Sequence, residues 1–345
     1  MKAGVFDGNQ IKLIDIPKPQ LTREDDFLIE IKSSGICGSD LRILFGETQP
    51  HTLPIGHELS GIVKQVNSSK FEHMIGKKVA VDTVSAGKAC DSCKHCLNGL
   101  YTYCLDKDSD SGGSYAEYIT RRAKGCFILK EDMNFNEGAL IEPLAVAVQA
   151  FRKLLPVAGD NLIILGSGTI GLMCLYMASQ MNFNQIIITG KYKHQKDMAK
   201  YLGADHVLDY DDPNLYEFVR DHTNGLGTDL ALETVGAYSS QIQTLTDAVH
   251  ITKKGGKIGI VGGFRVPVEF DFLVPYMNGQ SLIFPICYNL IDGKHDFEIA
   301  IDLFNKNNIN LSKLITSVFK FSEIESAFLH TAEEREKVIK VHLNN

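Results

Sequence analysis

The chain has 345 residues, of which 44% are hydrophobic and 22% charged, and its formal net charge at pH 7 is -7. This composition is typical of a globular protein with roughly two domains. The negative charge, without a long run of lysine or arginine, argues against a nucleic-acid-binding protein. No stretch is long and apolar enough to cross a bilayer, and the first residues lack a signal-peptide core. The sequence therefore predicts a cytoplasmic protein with no membrane partner.

The first third of the chain predicts short strands, and the middle predicts strands that alternate with helices. The early strands are expected at residues 27–33, 61–66 and 78–81, with a turn and a further strand within 112–119. The later strands are expected at 162–165, 186–189, 206–208, 230–234 and 257–261, with helices at 169–181 and 195–202. Strands separated by segments of helix length favour a parallel, doubly wound sheet.

The last sixty residues again predict short strands, as the first third of the chain does. One helix is expected at 295–305, followed by short strands and a final strand at 338–343. We expect this segment to fold back onto the first domain.

Four of the eight cysteines fall within fifteen residues in the pattern C-x2-C-x2-C-x7-C, which comprises Cys90, Cys93, Cys96 and Cys104. Two-residue gaps allow a turn to direct successive thiolates at one centre, and four thiolates in a tetrahedral array form a closed structural zinc site. An iron–sulfur cluster also uses C-x2-C-x2-C, but usually with a shorter following gap and a proline. The spacing therefore predicts structural zinc.

A second set of residues offers the ligands of a catalytic metal. The set comprises Cys37, His57, Glu58 and Glu142. A thiolate, an imidazole and two carboxylates are the ligands of a zinc ion that keeps one coordination position open. Asp40 is placed to hold the second nitrogen of the histidine, as metal-bound histidines usually require. Ser39 offers a hydroxyl beside the metal for passing a proton.

A glycine-rich loop predicts a dinucleotide site. Gly166, Gly168 and Gly171 form G-x-G-x-x-G after a predicted strand, and a helical pattern opens at Thr169 and Ile170. The first glycine makes the turn, the second allows the backbone to approach a pyrophosphate, and the third allows the helix to pack on the strand. The helix N-terminus favours the phosphate charge.

The end of the second strand of this domain indicates which dinucleotide binds. An NAD enzyme usually has an acidic residue about twenty residues after the loop, but this strand ends in Gly190-Lys191-Tyr192-Lys193. A glycine leaves room for a 2′-phosphate, which Lys191, Lys193 or His194 can neutralise. The alternative is that these lysines are simply solvated at the start of a helix. The sequence favours NADP over NAD.

Across almost its whole length the sequence resembles the zinc-containing medium-chain dehydrogenases, which include sorbitol, threonine, galactitol-phosphate and secondary-alcohol dehydrogenases. The resemblance is carried by Cys37-Gly38-Ser39-Asp40, Gly56-His57-Glu58, the four cysteines, Gly112-Gly113 before Ala116-Glu117-Tyr118, Glu142-Pro143 and the glycine loop. It implies a β-rich, chaperonin-10-like catalytic domain that is split around an inserted, doubly wound Rossmann domain. The implied domains are residues 1–148, with a zinc lobe at 88–106, then 149–286 and 287–345.

The resemblance also assigns roles to single residues. The positions that match the family's catalytic zinc ligands are Cys37, His57 and either Glu58 or Glu142. Ser39 matches the proton-relay hydroxyl and Asp40 the partner of the histidine. NADP-dependent secondary-alcohol dehydrogenases have a glycine at the position of Gly190 and a tyrosine at that of Tyr210. The sequence departs from them at Lys191-Tyr192, where those enzymes have serine and arginine.

These features together predict a zinc-dependent enzyme that transfers a hydride between an alcohol and a nicotinamide cofactor. The residues at 285–289 lack the arginine that contacts sugar hydroxyls in polyol dehydrogenases, which argues against sorbitol itself. Two alternatives are a zinc-independent, quinone-type reductase of the same fold and a non-enzymatic NADP-binding protein. The family further implies a homodimer or homotetramer.

Overall fold

The computed structural model describes residues 1–45, 51–108, 112–236, 242–264 and 266–345. The chain divides into two compact units. One consists of Met1–Ala145 together with Cys287–Asn345, and the other is Val146–Ile286. Within the described residues, every helix is too short or too polar to cross a membrane.

The discontinuous unit is built mainly from strands. Its strands are β1 (Lys2–Phe6), β2 (Ile11–Asp15), β3 (Asp26–Gly35), β4 (Glu58–Val66), β5 (Lys78–Val81), β6 (Tyr118–Arg122), β7 (Cys126–Ile128), β14 (Leu290–Ile291), β15 (Lys294–His295), β16 (Ile315–Lys320) and β17 (Lys340–Asn344). Its main sheet has the order β16-β17-β3-β4-β5-β7, and β6 also pairs with β3. The last strand, β17, runs antiparallel to β3, so the C-terminus completes the sheet that the N-terminal segment begins.

Strand β3 lies inside this sheet, where it pairs with β17, β4 and β6. Its alternate residues Phe27, Ile29 and Ile31 are buried in one hydrophobic core, while Ile36, just beyond the strand, belongs to a second core. The helices that begin in this unit are α1 (Lys94–Leu97), α2 (Phe135–Ala139), α3 (Ile141–Leu154), α9 (Asp296–Leu303) and α10 (Ile324–Glu333).

The second unit contains a six-stranded parallel sheet with helices between its strands. Its strands are β8 (Asn161–Leu165), β9 (Gln185–Gly190), β10 (His206–Asp209), β11 (Thr228–Glu233), β12 (Thr252–Ile260) and β13 (Ser281–Ile283). Its helices are α4 (Thr169–Ser179), α5 (Lys193–Tyr201), α6 (Leu215–His222), α7 (Gln243–Ile251) and α8 (Leu273–Met277). The strand order β10-β9-β8-β11-β12-β13 reverses beside β8. The predicted doubly wound sheet is confirmed, and its switch point lies where such folds bind ligands.

Candidate metal centres and dinucleotide site

The four clustered cysteines direct their sulfur atoms at one point. The sulfur atoms of Cys90, Cys93, Cys96 and Cys104 lie within 4.8 Å of one another. The sulfur of Cys96 is 3.5 Å from that of Cys93 and 3.9 Å from that of Cys90. A tetrahedral zinc ion with Zn–S bonds of about 2.3 Å requires sulfur separations of roughly 3.8 Å. The spacing of the thiols therefore fits zinc.

The electrostatics of this cluster also fit a bound cation. Hydrogen bonds, first of all from the Ser92 hydroxyl and the Cys93 amide, lower the pKa of Cys90 to about 5. Burial and the neighbouring thiols raise the pKa of Cys96 far above the usual value for a thiol. Four ionised thiolates at this spacing repel one another, and a divalent cation removes that repulsion.

The second group of predicted ligands is assembled by the pairing of β3 with β4. Cys37 follows the end of β3, while His57 and Glu58 stand at the start of β4, and Gly35 pairs with Glu58 in the ladder. The ligand atoms of Cys37, His57 and Glu58 lie within 4.8 Å of one another. Because the two strands are antiparallel, residues separated by twenty positions in the chain meet at one end of the sheet.

Asp40 lies behind His57, as the sequence predicts. Its carboxylate is 3.7 Å from Nδ1 of His57, and it accepts hydrogen bonds from the Tyr115 hydroxyl at 2.6 Å and the Cys37 amide at 3.1 Å. Nδ1 of the imidazole therefore faces Asp40, which leaves Nε2 for a ligand. Burial lowers the pKa of His57, but the charges of Asp40, Cys37 and Glu142 outweigh it and raise that pKa well above its usual value. This excess of negative charge suits a metal cation.

Glu58 forms a buried ion pair that the sequence did not reveal. Nζ of Lys340 lies 2.7 Å from both carboxylate oxygens of Glu58, and the two side chains are only 2% and 1% exposed. Lys340 also donates a hydrogen bond to the Ile36 carbonyl at 3.1 Å. The one available signal was a lysine between two apolar residues, Ile339 and Val341, in the strand predicted at 338–343.

Glu142 approaches the same region from the first turn of α3. Its side chain is 6% exposed, and burial, only partly offset by the charge of His57, raises the pKa of Glu142 to about 7. The fully buried phenol of Tyr288 lies close enough to the Glu142 carboxylate for each group to shift the pKa of the other. Among the described residues, the tight ligand group consists of Cys37, His57 and Glu58, and Glu142 stands outside it.

Ser39, the predicted proton-relay residue, lies between Cys37 and Asp40 in the loop that follows β3. It is half-buried, whereas Asp40 is buried. The hydroxyl is thus in the neighbourhood of the ligand group without being enclosed by it.

The three glycines of the loop after β8 occupy three different environments. Gly166 has φ of +105°, a conformation that favours glycine. Gly168 is the N-cap of α4, and a Cβ there would meet nothing within 4 Å. A Cβ at Gly171 would overlap the Gly166 carbonyl oxygen, so this position needs glycine for helix–strand packing. Thr169 and Ile170 form the first turn of α4. The open space at Gly168 is a cradle that fits a pyrophosphate.

The residues at the end of β9 form a small cationic and aromatic cluster. Lys191 is exposed, and its Nζ lies 5.6 Å from the ring centroid of Tyr192 and 5.3 Å from that of Tyr210. Lys193 stands apart, because it pairs with Asp197 at 2.5 Å within α5.

Gly190 has a packing role that the sequence did not indicate. A Cβ at Gly190 would lie 2.8 Å from Cγ of Lys196 and even nearer to the Ser167 hydroxyl, so a larger residue would force these side chains to shift and packing favours glycine there. Lys196 in turn pairs with Asp209 at the end of β10.

Comparisons with known proteins agree with this architecture. Residues 23–131 match the alcohol dehydrogenase GroES-like domain, and residues 169–306 match the zinc-binding dehydrogenase domain. The chain is 28% identical to the probable D-xylulose reductase A of Aspergillus clavatus, over 93% of this chain and 90% of the relative. It is 27% identical to the sorbitol dehydrogenase of Bacillus subtilis, over 99% and 96%. The galactitol-1-phosphate dehydrogenase structure from Escherichia coli superposes with a TM-score of 0.87 at 28% identity and covers both chains completely.

The fold and the two domain matches define a two-domain nicotinamide-dependent dehydrogenase. The chain belongs to the zinc-containing medium-chain alcohol and polyol dehydrogenases. It is an oxidoreductase that transfers a hydride between an alcohol and a nicotinamide cofactor. The relatives favour neither the zinc-independent reductase nor the non-enzymatic protein.

Proposed function

We propose that this enzyme oxidises a secondary hydroxyl of a polyol, a sugar alcohol or a simple secondary alcohol, and reduces the corresponding ketone, with NADP as the preferred cofactor. The observation that carries the proposal is the convergence of Cys37, His57 and Glu58 on one point. Support for the substrate class comes from the relatives, which are named as reductases or dehydrogenases of xylulose, sorbitol and galactitol phosphate.

In the proposed site, Cys37, His57 and Glu58 hold the catalytic zinc, and Glu142 is the carboxylate next to it. When bound, zinc supplies a Lewis acid that favours loss of the alcohol proton. Ser39 accepts this proton and passes it towards solvent. Asp40 fixes the orientation of His57. Cys90, Cys93, Cys96 and Cys104 hold the structural zinc.

The cofactor proposal assigns Gly166, Gly168 and Gly171, with Thr169 and Ile170, to the pyrophosphate cradle. The cluster at the end of β9 is assigned to the adenosine end. Lys191 supports this assignment, because its charge is exposed between two aromatic rings and can pair with a 2′-phosphate. Tyr192 and Tyr210 offer surfaces for stacking, whereas Lys193 pairs with Asp197 and contributes less than Lys191.

The first experiment measures initial rates with zinc-loaded enzyme, with NADP or NAD and a panel of secondary alcohols, polyols, sugar phosphates and amino alcohols. We expect turnover with a secondary alcohol or polyol and a higher kcat/KM with NADP.

Lys191→Ala should raise the KM for NADP roughly tenfold and leave that for NAD unchanged, since one charged contact is lost. Lys193→Ala is the matched control. If the two variants raised the KM for NADP equally, the specific contact of Lys191 with the 2′-phosphate would be contradicted. A wild-type enzyme that prefers NAD would overturn the choice of cofactor.

We also propose that the enzyme is a homodimer or homotetramer that uses the β13 edge of the second unit. β13 is the terminal strand of its sheet, and strongly exposed apolar side chains lie on either side of it in sequence. They are Phe272, Leu273, Tyr276, Met277, Phe284 and Ile286. Exposed apolar residues concentrated in this way are typical of an interface. Light scattering of the wild type and of Tyr276→Lys should give an oligomer and a smaller species, respectively, and a monomeric wild type would refute the proposal.

A further inference from the structure

The stretch of chain between the third and fourth clustered cysteines is bonded to the segment that carries Tyr288. The hydroxyl of Thr102 donates to the Tyr288 carbonyl at 2.8 Å, and its amide donates to Oδ1 of Asn289 at 3.2 Å. The amide of Leu290 donates to the Gly99 carbonyl at 2.9 Å. Three hydrogen bonds thus join two segments that are separated by nearly two hundred residues.

The fit between these segments is close. Gly99 has φ of +74°, and a Cβ there would overlap the Leu290 carbonyl oxygen. Asn289 is fully buried, and its backbone N–H donates to the Asp296 carboxylate at 2.8 Å. A displacement of the stretch at Gly99 is therefore transmitted to residues 288–290 rather than absorbed by a gap.

The Tyr288 carbonyl is also in contact with the turn that supports His57. The hydroxyl of Ser85 lies within hydrogen-bond distance of this carbonyl, at 3.3 Å, and of the Asp82 carboxylate. In the same turn, the hydroxyl of Thr83 donates to the His57 carbonyl at 3.1 Å. Tyr288 therefore links the cysteine lobe to the backbone of a proposed ligand, while its phenol lies beside Glu142.

Little regular structure holds the lobe in shape. Helix α1 has four residues, and the remaining helical segment, Tyr101–Tyr103, is a single 3-10 turn. Metal binding supplies the ordering energy in segments of this kind. If the lobe holds a metal, the position of Thr102, two residues before Cys104, is expected to depend on it.

We propose that the four-cysteine lobe (residues 88–106) sets the geometry of the catalytic metal site, and that Thr102 and the Tyr288 carbonyl form the connection. Thr102 is a positioning residue in this scheme, since it acts through Tyr288 on the backbone of His57 and on the carboxylate of Glu142. The proposal rests on the function proposed above, because it assigns zinc to both centres.

The test compares Thr102→Val, which removes the hydroxyl but keeps the volume, with Thr102→Ser, which restores it. The matched control is Thr331→Val, which removes another hydroxyl-to-carbonyl bond of 2.7 Å within α10. Two quantities are measured: the affinity of the catalytic site for zinc, by competition with a chromogenic chelator, and the separate values of kcat and KM. Thr102→Val should lower the affinity or kcat roughly tenfold or more, as loss of a group that orients metal ligands usually does. Thr102→Ser should recover most of the loss, with KM nearly constant.

A double-mutant cycle then tests whether the lobe acts through this connection. Cys104→Ser should release the lobe metal and weaken zinc binding at the catalytic site. In the Thr102→Val background it should have little additional effect, because the connection is already broken. Additive effects, or a Thr102→Val enzyme that matches the Thr331→Val control, would overturn the proposal. If Cys104→Ser does not fold, Gly99→Ala provides the perturbation from the lobe side. An inactive wild type would count against the proposed function alone, because the zinc affinities are measured independently of turnover.

Discussion

Glu58 and Lys340 lie next to the candidate catalytic site with almost no access to water. The transfer of two charges from water into the protein interior is costly, and their mutual attraction offsets this cost only while both partners are present. Burial lowers the pKa of Lys340, but the Glu58 carboxylate outweighs it and raises that pKa above its usual value. Lys340 therefore remains charged and pairs with both carboxylate oxygens of Glu58.

Replacement of Lys340 by methionine should destabilise the protein. Removal of one partner leaves a buried, uncompensated carboxylate, at a cost of about 3–5 kcal/mol in the free energy of unfolding. The measurement is urea denaturation of metal-free protein. The double variant Lys340→Met with Glu58→Gln should recover a large part of the loss, since it buries no charge. If the single variant lost less than about 1 kcal/mol, the carboxylate would have found another partner or water.

Neutral replacement of each carboxylate should show which one binds the catalytic zinc. Glu58→Gln should weaken zinc binding at this site by more than Glu142→Gln, because Glu58 belongs to the tight ligand group and Glu142 does not. We expect roughly ten- to a hundred-fold for Glu58 and less than that for Glu142, by analogy with losses around metal sites. Chelator competition gives both affinities, and the reverse order would make Glu142 the direct ligand.

The sequence predicts the metal-binding residues of the site, but not the residues that surround and contact them. Cys37, His57 and Glu58 could be selected as a set because their residue types match one metal and their motif is local. The ion pair of Glu58 with Lys340 could not be found in this way, because the two residues are 282 positions apart in the chain. The same holds for the Tyr115 hydroxyl on Asp40, which connects residues 75 positions apart.

In the second unit the strands β8, β9 and β11 were the easiest to predict, because each contains a short apolar run. The expected strand at 186–189 is β9, and the expected helix at 169–181 is α4 with two fewer residues. Helix α3 was not among the predicted elements, although it carries Glu142. Pro143 lies in the first turn of this helix, where proline costs no hydrogen bond.

Two glycines of the loop after β8 have different roles: Gly171 is needed for helix–strand packing, whereas Gly168 leaves space for the dinucleotide. Gly171→Ala should lower the free energy of unfolding by about 1–3 kcal/mol, since the added methyl group overlaps the Gly166 carbonyl. Gly168→Ala should leave stability nearly unchanged, because its φ of -71° suits alanine and the Cβ has open space. It should nevertheless weaken dinucleotide binding, as the methyl group occupies the cradle. Urea denaturation and calorimetric titration separate the two effects, and equal stability losses would contradict this assignment.

The path of the chain explains why the first unit depends on its C-terminal segment. After Val146–Ile286 the chain returns to supply both Tyr288 and the strand β17, which pairs with β3 beside the proposed ligands. The fold class and the return of the chain were predictable, because both ends of the chain show short strand patterns, unlike the strands and helices that alternate in the middle. The contacts of this returning segment were not predictable, since no local sequence pattern specifies that β17 will pair with β3.

The two proposed zinc ions should leave the enzyme in a fixed order. The proposed catalytic site would have mixed ligands and an open position, so a chelator could reach its metal, whereas the proposed four-thiolate site would be closed. During dialysis against a chelator we expect activity to fall in proportion to loss of the first zinc, with the melting temperature only slightly changed. Release of the second zinc should lower the melting temperature strongly, because this metal orders the lobe. Metal analysis, activity and thermal denaturation on the same samples give the order. Loss of the structural metal first, with activity retained, would reverse the assignment of the two sites.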